Sequence, residues 1–126
     1  MAARHALMGL VGLVLAWAGT VQAEDRAAAA RAAVEREIGT PECSSHAQCR
    51  SLAMGSRPCG GAEFYLPYST LRSNPARLEE LAAVHRAERN AAHAASGRMG
   101  TCRVLPDPGA QCAPSTRLCT LGAVAD

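Results

Sequence analysis

The six cysteines of this 126-residue chain are its clearest candidates for chemistry, because six thiols can form three disulfides. The six are Cys43, Cys49, Cys59, Cys102, Cys112 and Cys119. An even set of cysteines in a short exported chain is typical of a disulfide framework, although sequence alone does not choose the pairing. Three cysteines precede the interval 60–101 and three follow it. If all six pair within the chain, at least one bridge must cross that interval, because each group holds an odd number.

A second chemistry open to cysteine is metal binding. Cys43, His46 and Cys49 form a C-x2-H-x2-C pattern, and zinc would need a fourth ligand, for which His85 or His93 is available only after folding. The paired C-x2-C spacing that is typical of structural zinc sites is absent from the sequence. We therefore predict disulfides at these cysteines, with no metal site and no cofactor.

Catalytic motifs give no positive signal. Gly55-Ser56-Arg57-Pro58 lacks the second glycine of a nucleophile elbow, and no C-x-x-C redox pair occurs. Glu79 and Glu80 are adjacent on a predicted helix and so point about 100° apart, which does not suit paired acid and base catalysis. We predict no catalytic residues and expect binding in preference to enzymatic activity.

The aromatic segment that follows Cys59-Gly60-Gly61 is the candidate interaction surface. Phe64, Tyr65 and Tyr68 are the only aromatic residues after Trp17, and aromatic side chains near a rigid turn make effective partner contacts. The alternative, which we favour for Phe64 and Leu66, is that the large side chains of this segment fill the core. Alternation along a strand places Tyr65 on the face opposite to Phe64.

The first 23 residues have the pattern of a secretory signal peptide. A short start containing Arg4 precedes an uncharged, apolar run over 6–21, and small Ala23 precedes Glu24. This run is short and broken by glycines, so we predict no transmembrane anchor after cleavage. The product is expected to be exported, either periplasmic or extracellular.

Charge excludes one class of partner. All thirteen basic residues are arginine and they nearly balance eleven carboxylates, for a net charge of +2. The chain therefore lacks the basic excess of a nucleic-acid-binding protein.

Helix signals occur twice after the signal peptide. Residues 24–40 form an Ala-rich segment with a helical stretch up to Ile38, and its sparse apolar face predicts a solvated N-terminal extension. The clearer helix runs over 75–96, because Asn74 suits the N-cap and Gly97 suits the stop.

Short strands are predicted around that main helix. They cover 50–54, 63–69, 101–105 and a hairpin over 111–121. The fold class is therefore α+β: a small disulfide-stapled domain over 41–126, with a few short antiparallel strands, one main helix and an N-terminal helical extension.

Several of these features together resemble a group of small exported bacterial cysteine-rich proteins of unknown function. The shared features are Cys43-x5-Cys49, Cys59-Gly60-Gly61, Tyr65-Leu66-x-Tyr68-Ser69 and Pro106-Asp107-Pro108-Gly109 followed by Cys112 and Cys119. The central signature of that group is approximately C-G-G-P-x-x-Y-L, and this chain has Ala62 at the proline. The resemblance implies a bacterial exported module and supplies no ligand or catalytic residue.

Two functions from different classes remain open. We expect a binding or interaction module that contacts an unidentified protein or another component of the bacterial cell envelope. The alternative is a small secreted inhibitor, for which the loop from Ala113 to Leu118 is the candidate, or a hydrolase with a polar cleft around His46 or His85.

Overall fold

The computed structural model describes residues 11–100 and 102–123. The first ten residues of the predicted signal peptide, Thr101 in the predicted strand 101–105, and residues 124–126 lie outside the described residues. The elements in chain order are α1 (Val11–Ile38), a short 3-10 turn (His46–Gln48), β1 (Cys49–Met54), β2 (Phe64–Ser69), α2 (Pro75–Ser96), β3 (Ala110–Cys112) and β4 (Cys119–Leu121). Two helices and two small antiparallel sheets confirm the predicted α+β class.

The main helix, α2, has the ends that the sequence predicts. The Asn74 side chain accepts hydrogen bonds from the backbone N–H groups of Ala76 and Arg77 at 2.9 and 3.3 Å, which caps the first turn. Gly97 ends the helix with a φ of +63°, and its N–H donates to the His93 carbonyl.

The N-terminal helix, α1, packs along α2, and its predicted solvated character is wrong. Val34 and Ile38 are 0% and 7% exposed and belong to the main core, while Ala27 is also buried. Small alanines allow the two helix backbones to approach closely, so an apolar face that is poor in large side chains still buries surface. Ser73 fixes the end of α1 by donating to the Glu37 carbonyl at 3.0 Å.

The hairpin of β1 and β2 separates the two halves of the molecule. Leu52 pairs with Leu66 and Met54 with Phe64 across the strands, so these side chains share the face that meets the helices. The main core also contains Tyr68 from this face. The opposite face of the hairpin meets the C-terminal segment, where Cys49 of β1 is bridged to the final strand.

The C-terminal segment differs from prediction at one strand. Residues 102–105 of the predicted strand form none, and the following Pro106 and Pro108 lack the N–H groups that would continue a ladder towards β3. Side chains attach this stretch to the hairpin instead: Tyr65 Oη donates to the Leu105 carbonyl at 3.3 Å, and Ser51 Oγ donates to Asp107. The final hairpin of β3 and β4 is confirmed.

Three disulfides join the two parts of the chain. Their partners are Cys43–Cys112, Cys49–Cys119 and Cys59–Cys102. All three cross the interval that contains α2, so the predicted crossing bridge is confirmed and the framework uses every cysteine. Among the described residues, neither helix combines the length and apolar character needed to cross a membrane.

Candidate functional site

A cleft of about 450 Å³ lies where α1, α2 and the start of β2 meet. Its charged and aromatic lining consists of Glu24, Arg31, Glu63, Phe64, His85 and Arg89. The spacing of seven residues between Glu24 and Arg31 places both on one face of α1, and His85 and Arg89 are one turn apart on α2. A cavity of this volume lies in the range of small-molecule and short-peptide sites.

His85 is the most unusual side chain of the cleft, because it is 2% exposed and sits on the apolar face of α2. Its Nδ1 accepts a hydrogen bond from the Gly55 N–H at 3.1 Å. Burial lowers the pKa of His85 below its ordinary value. The imidazole is therefore neutral at pH 7 with its proton on Nε2, which fixes the tautomer.

The Nε2–H of His85 is a free donor among the residues that line the cleft. No described residue accepts a hydrogen bond from it, yet no buried side-chain nitrogen or oxygen among the described residues is left without a partner. Nε2 therefore retains a small accessible surface, and His85 lines the cleft, so this N–H is a candidate donor for a ligand there.

Glu63 and Arg89 form a two-pronged ion pair on one wall of the cleft. The distances from Nε to Oε1 and from Nη2 to Oε2 are 2.7 and 3.0 Å, which is the strong bidentate geometry. Oε1 of Glu63 also accepts the Ser56 N–H at 3.0 Å. The third prong of Arg89, Nη1, donates to Glu24 at 3.0 Å.

These contacts set the charge state of the ion pair. Burial raises the pKa of Glu63, but the hydrogen bonds from Arg89 and Ser56 and the charges of Arg89 and His93 outweigh it, so the pKa lies below its ordinary value. The hydrogen bond to Glu63 raises the pKa of Arg89. Both groups are ionised at pH 7, and their charges compensate one another.

Arg31 lines the cleft together with Phe64. Its guanidinium carbon lies 4.6 Å from the centre of the Phe64 ring, which is within cation–π distance. The Phe64 ring meets His85 edge-on at a centroid distance of 6.2 Å. The single described ion pair of Arg31 is its one-turn contact with Glu35 at 2.8 Å, where both side chains are about half exposed.

The three aromatic residues predicted as one interaction patch lie in three different environments. Phe64 is half-buried and lines the cleft. Tyr68 is 4% exposed and belongs to the core. Tyr65 lies on the opposite face of the hairpin, as alternation predicts, and contacts the C-terminal segment. Of the predicted patch, only Phe64 therefore contributes to the cleft.

The cysteines of the C-x2-H-x2-C pattern are both in disulfides. The sulfur atoms of Cys43, Cys49 and Cys119 lie within 4.8 Å of one another, but each is bonded to another sulfur and has no thiolate to offer a metal. His46 lies beside this cluster, where its Nδ1 accepts the Cys112 N–H at 3.0 Å. The pair of adjacent disulfides is a structural staple.

The loop considered for inhibition lies between two of the bridged cysteines. Residues 114–117 are exposed, as an inhibitory loop requires. Arg117, however, has a φ of +57°, its N–H donates to the Ala113 carbonyl, and its carbonyl accepts the Cys43 N–H. A protease recognises an extended segment with free main-chain groups, so this tightly turned loop lacks the geometry of a substrate mimic.

Four of the cleft residues have no signal in the sequence. Glu24 and Arg31 come from α1, Arg89 from α2 and Glu63 from the segment just before β2, and the pairing of Glu63 with Arg89 joins residues 26 positions apart. His85 did carry a signal, because a histidine interrupts the apolar stripe of α2 at a position that should be buried. A histidine at such a position indicates either a hydrogen-bonded core residue or a site residue. His85 fits both descriptions, because it is buried and also lines the cleft.

Comparison of the chain with protein-family models, with curated proteins and with solved structures finds no match in any of the three.

Proposed function

We propose that this chain is an exported, disulfide-stapled binding module of the bacterial cell envelope and that the cleft between α1 and α2 is its binding site. Export is supported by the signal-like pattern of residues 1–23 and by three disulfides, which fit an oxidising compartment. A bacterial envelope setting is supported by the resemblance of the Cys43–Leu121 region to small exported bacterial proteins.

One observation carries the assignment of the site: a buried, neutral histidine that lines a cleft of about 450 Å³ has an Nε2–H with no described acceptor. Since Nε2 is not fully buried, water can satisfy this donor in the free protein, and a ligand acceptor in the cleft can replace that water. The described lining contains no hydroxyl or thiol nucleophile. The lowered pKa of Glu63 also makes its carboxylate a weak base. These properties favour binding over catalysis.

The test compares capture by two arginine variants of the immobilised, oxidised protein. Arg31→Gln changes the cleft, whereas Arg77→Gln changes an exposed arginine of α2 that also has a one-turn glutamate partner, Glu80. We expect the unchanged protein and R77Q to capture the same component from a cell-envelope extract. R31Q should retain less than a tenth of it, measured by quantitative mass spectrometry.

Two results would contradict the proposal. Equal capture by all three proteins would remove the cleft as the binding site. Capture no greater than that of a blank support, in extracts of both periplasm and medium, would remove binding as the function.

A further inference from the structure

The hydrogen-bonding capacity left open in the cleft belongs mainly to donors. Glu63 uses Oε1 for Ser56 and Arg89 and Oε2 for Arg89 again. Arg89 in turn directs all three of its nitrogens at carboxylates. This wall is therefore matched internally and offers a ligand little beyond the outer oxygen of Glu24.

The open donors are on His85 and Arg31. The Nε2–H of His85 has no described acceptor. Arg31 uses Nε for Glu35, and its two terminal nitrogens have no described hydrogen bond. Stacking on Phe64 at 4.6 Å restricts the guanidinium plane, which reduces the entropy lost when its remaining N–H groups bind. A planar group with two acceptor oxygens is the complement of such a fork.

The charge of the lining limits the ligand to a single negative charge. Among the described residues, Arg31 is paired only through Nε with the half-exposed Glu35, so solvent weakens that pairing, while His85 is neutral. Glu24 and Glu63 line the same cleft, so a dianion such as a phosphate monoester would meet two carboxylates with only one available cation. A monovalent carboxylate avoids that excess. Phe64 and Ala28 offer apolar surface for the body of such a ligand.

We infer that the cleft binds a monovalent carboxylate, whose oxygens accept from the Nε2–H of His85 and the guanidinium of Arg31. This inference rests on the proposed function of the cleft and adds the ligand class to it. Two sources share this chemistry: a small organic acid and the C-terminus of a peptide. Glu24 opposes such a ligand by charge repulsion, because it adds a negative charge to the lining while it pairs with Arg89, which the ligand does not use.

The experiment uses calorimetric titration of the oxidised protein with matched probe pairs. N-acetyl-L-alanine against its primary amide represents a small acid, and tri-L-alanine with a free against an amidated C-terminus represents a peptide. We expect the carboxylate of at least one pair to bind at least tenfold more tightly than its amide. The pair that shows this difference identifies the source.

Three variants locate the carboxylate within the cleft. Arg31→Gln should weaken binding at least tenfold, and Glu24→Gln should strengthen it several-fold because a repelling negative charge is removed from the lining. Arg77→Gln should leave affinity unchanged. In the unchanged protein, the NMR signal of the His85 Nε2–H should move downfield on saturation, as expected for a new hydrogen bond to an anion.

Equal affinity for acid and amide, or an unmoved His85 signal, would overturn the inference. So would equal losses in R31Q and R77Q. If no carboxylate binds while envelope capture still depends on Arg31, the ligand class is wrong and the binding site stands. If carboxylates bind as expected while capture is indifferent to Arg31, the proposed function fails and the ligand chemistry stands.

Discussion

Gly55 is the residue on which the geometry of the cleft depends most directly. Its N–H donates to Nδ1 of His85, which fixes the tautomer of the buried ring. Its φ of +73° lies in the left-handed region, and a Cβ at this position would lie 2.5 Å from Oε1 of Glu63. Glycine is therefore required here both by backbone conformation and by the close approach of a carboxylate.

Comparison of alanine at Gly55 with alanine at Gly60 separates the conformational requirement from the requirement for space. We expect Gly55→Ala to lower the free energy of unfolding by about 2 kcal/mol more than Gly60→Ala. Gly60 also has a positive φ, of +93°, but no atom lies within 4 Å of its Cβ position. Both variants carry the backbone strain of about 1–2 kcal/mol, whereas only the first displaces the charged hydrogen bonds of Glu63.

Denaturant unfolding with the disulfides intact measures both values. Equal losses in the two variants would mean that Glu63 moves aside without cost, and its contact with Arg89 would then not hold the wall of the cleft.

Prediction from sequence was uneven at this scale. The interruption of the α2 stripe by His85 is visible in the sequence, and so is the special character of Cys59-Gly60-Gly61. The bidentate contact of Glu63 and Arg89 is not visible, because two ordinary charged residues on separate elements carry no spacing signal until the fold brings them together.

At the scale of helices and strands, local sequence signals predicted where α2 begins and ends but did not predict how α1 packs. Asn74 and Gly97 define α2 through caps that act within a few residues, and the β1–β2 hairpin follows from its residue types. The environment of α1 could not be predicted in this way. Its burial depends on the complementary small residues of α2, and apolar residue counts give little weight to a close alanine contact.

Residues 1–23 provide a test of how much of α1 the domain needs. A chain beginning at Glu24 should keep three disulfides and unfold cooperatively. Of the two removed residues whose burial is described, Gln22 is exposed and Ala23 is buried, and one methyl group is worth about 0.8 kcal/mol. Ala27, Val34 and Ile38, which remain, supply the buried face.

A chain beginning at Thr40 is the matched control. It loses Val34 and Ile38, about 1.5–3 kcal/mol each, and exposes the face of α2 that contains Leu78. We expect weaker unfolding cooperativity and binding of a hydrophobic dye. Equal stability of the two shortened chains would show that α1 is a solvated extension, as its composition suggests.

In the whole molecule, the disulfides join the segment before α2 to the segment after it. The odd number of cysteines on each side of α2 required one crossing bridge, and the structure has three, with sequence separations of 69, 70 and 43 residues. The particular partners could not be derived, because they follow from how the hairpin and the C-terminal segment face one another. The three bridges hold the C-terminal segment against the hairpin, while the helices cover its other face.

Removal of one disulfide at a time measures how much each contributes to the free energy of unfolding. In the chain-entropy description, loops of these lengths each contribute about 4 kcal/mol, so entropy alone predicts similar losses. Cys59 and Cys102 are exposed, whereas Cys49 and Cys119 are buried in a cluster with a second disulfide. We therefore expect Cys59→Ala with Cys102→Ala to lower the free energy of unfolding by about 4 kcal/mol. Cys49→Ala with Cys119→Ala should lower it by at least about 1 kcal/mol more, because buried contacts are also lost.

Hydrogen exchange distinguishes a local effect of each disulfide from a general loss of stability. Loss of the buried bridge should release protection in β3 and β4 while α2 stays protected, since β4 is joined to β1 through Cys49–Cys119. Loss of the exposed bridge should leave both strands protected. Intact mass must show two remaining disulfides in each variant. If removal of Cys59–Cys102 lowered the free energy of unfolding more than removal of Cys49–Cys119, the buried disulfide cluster would not be what holds the C-terminal hairpin. The exposed disulfide would then stabilise the molecule through the turn that borders the cleft.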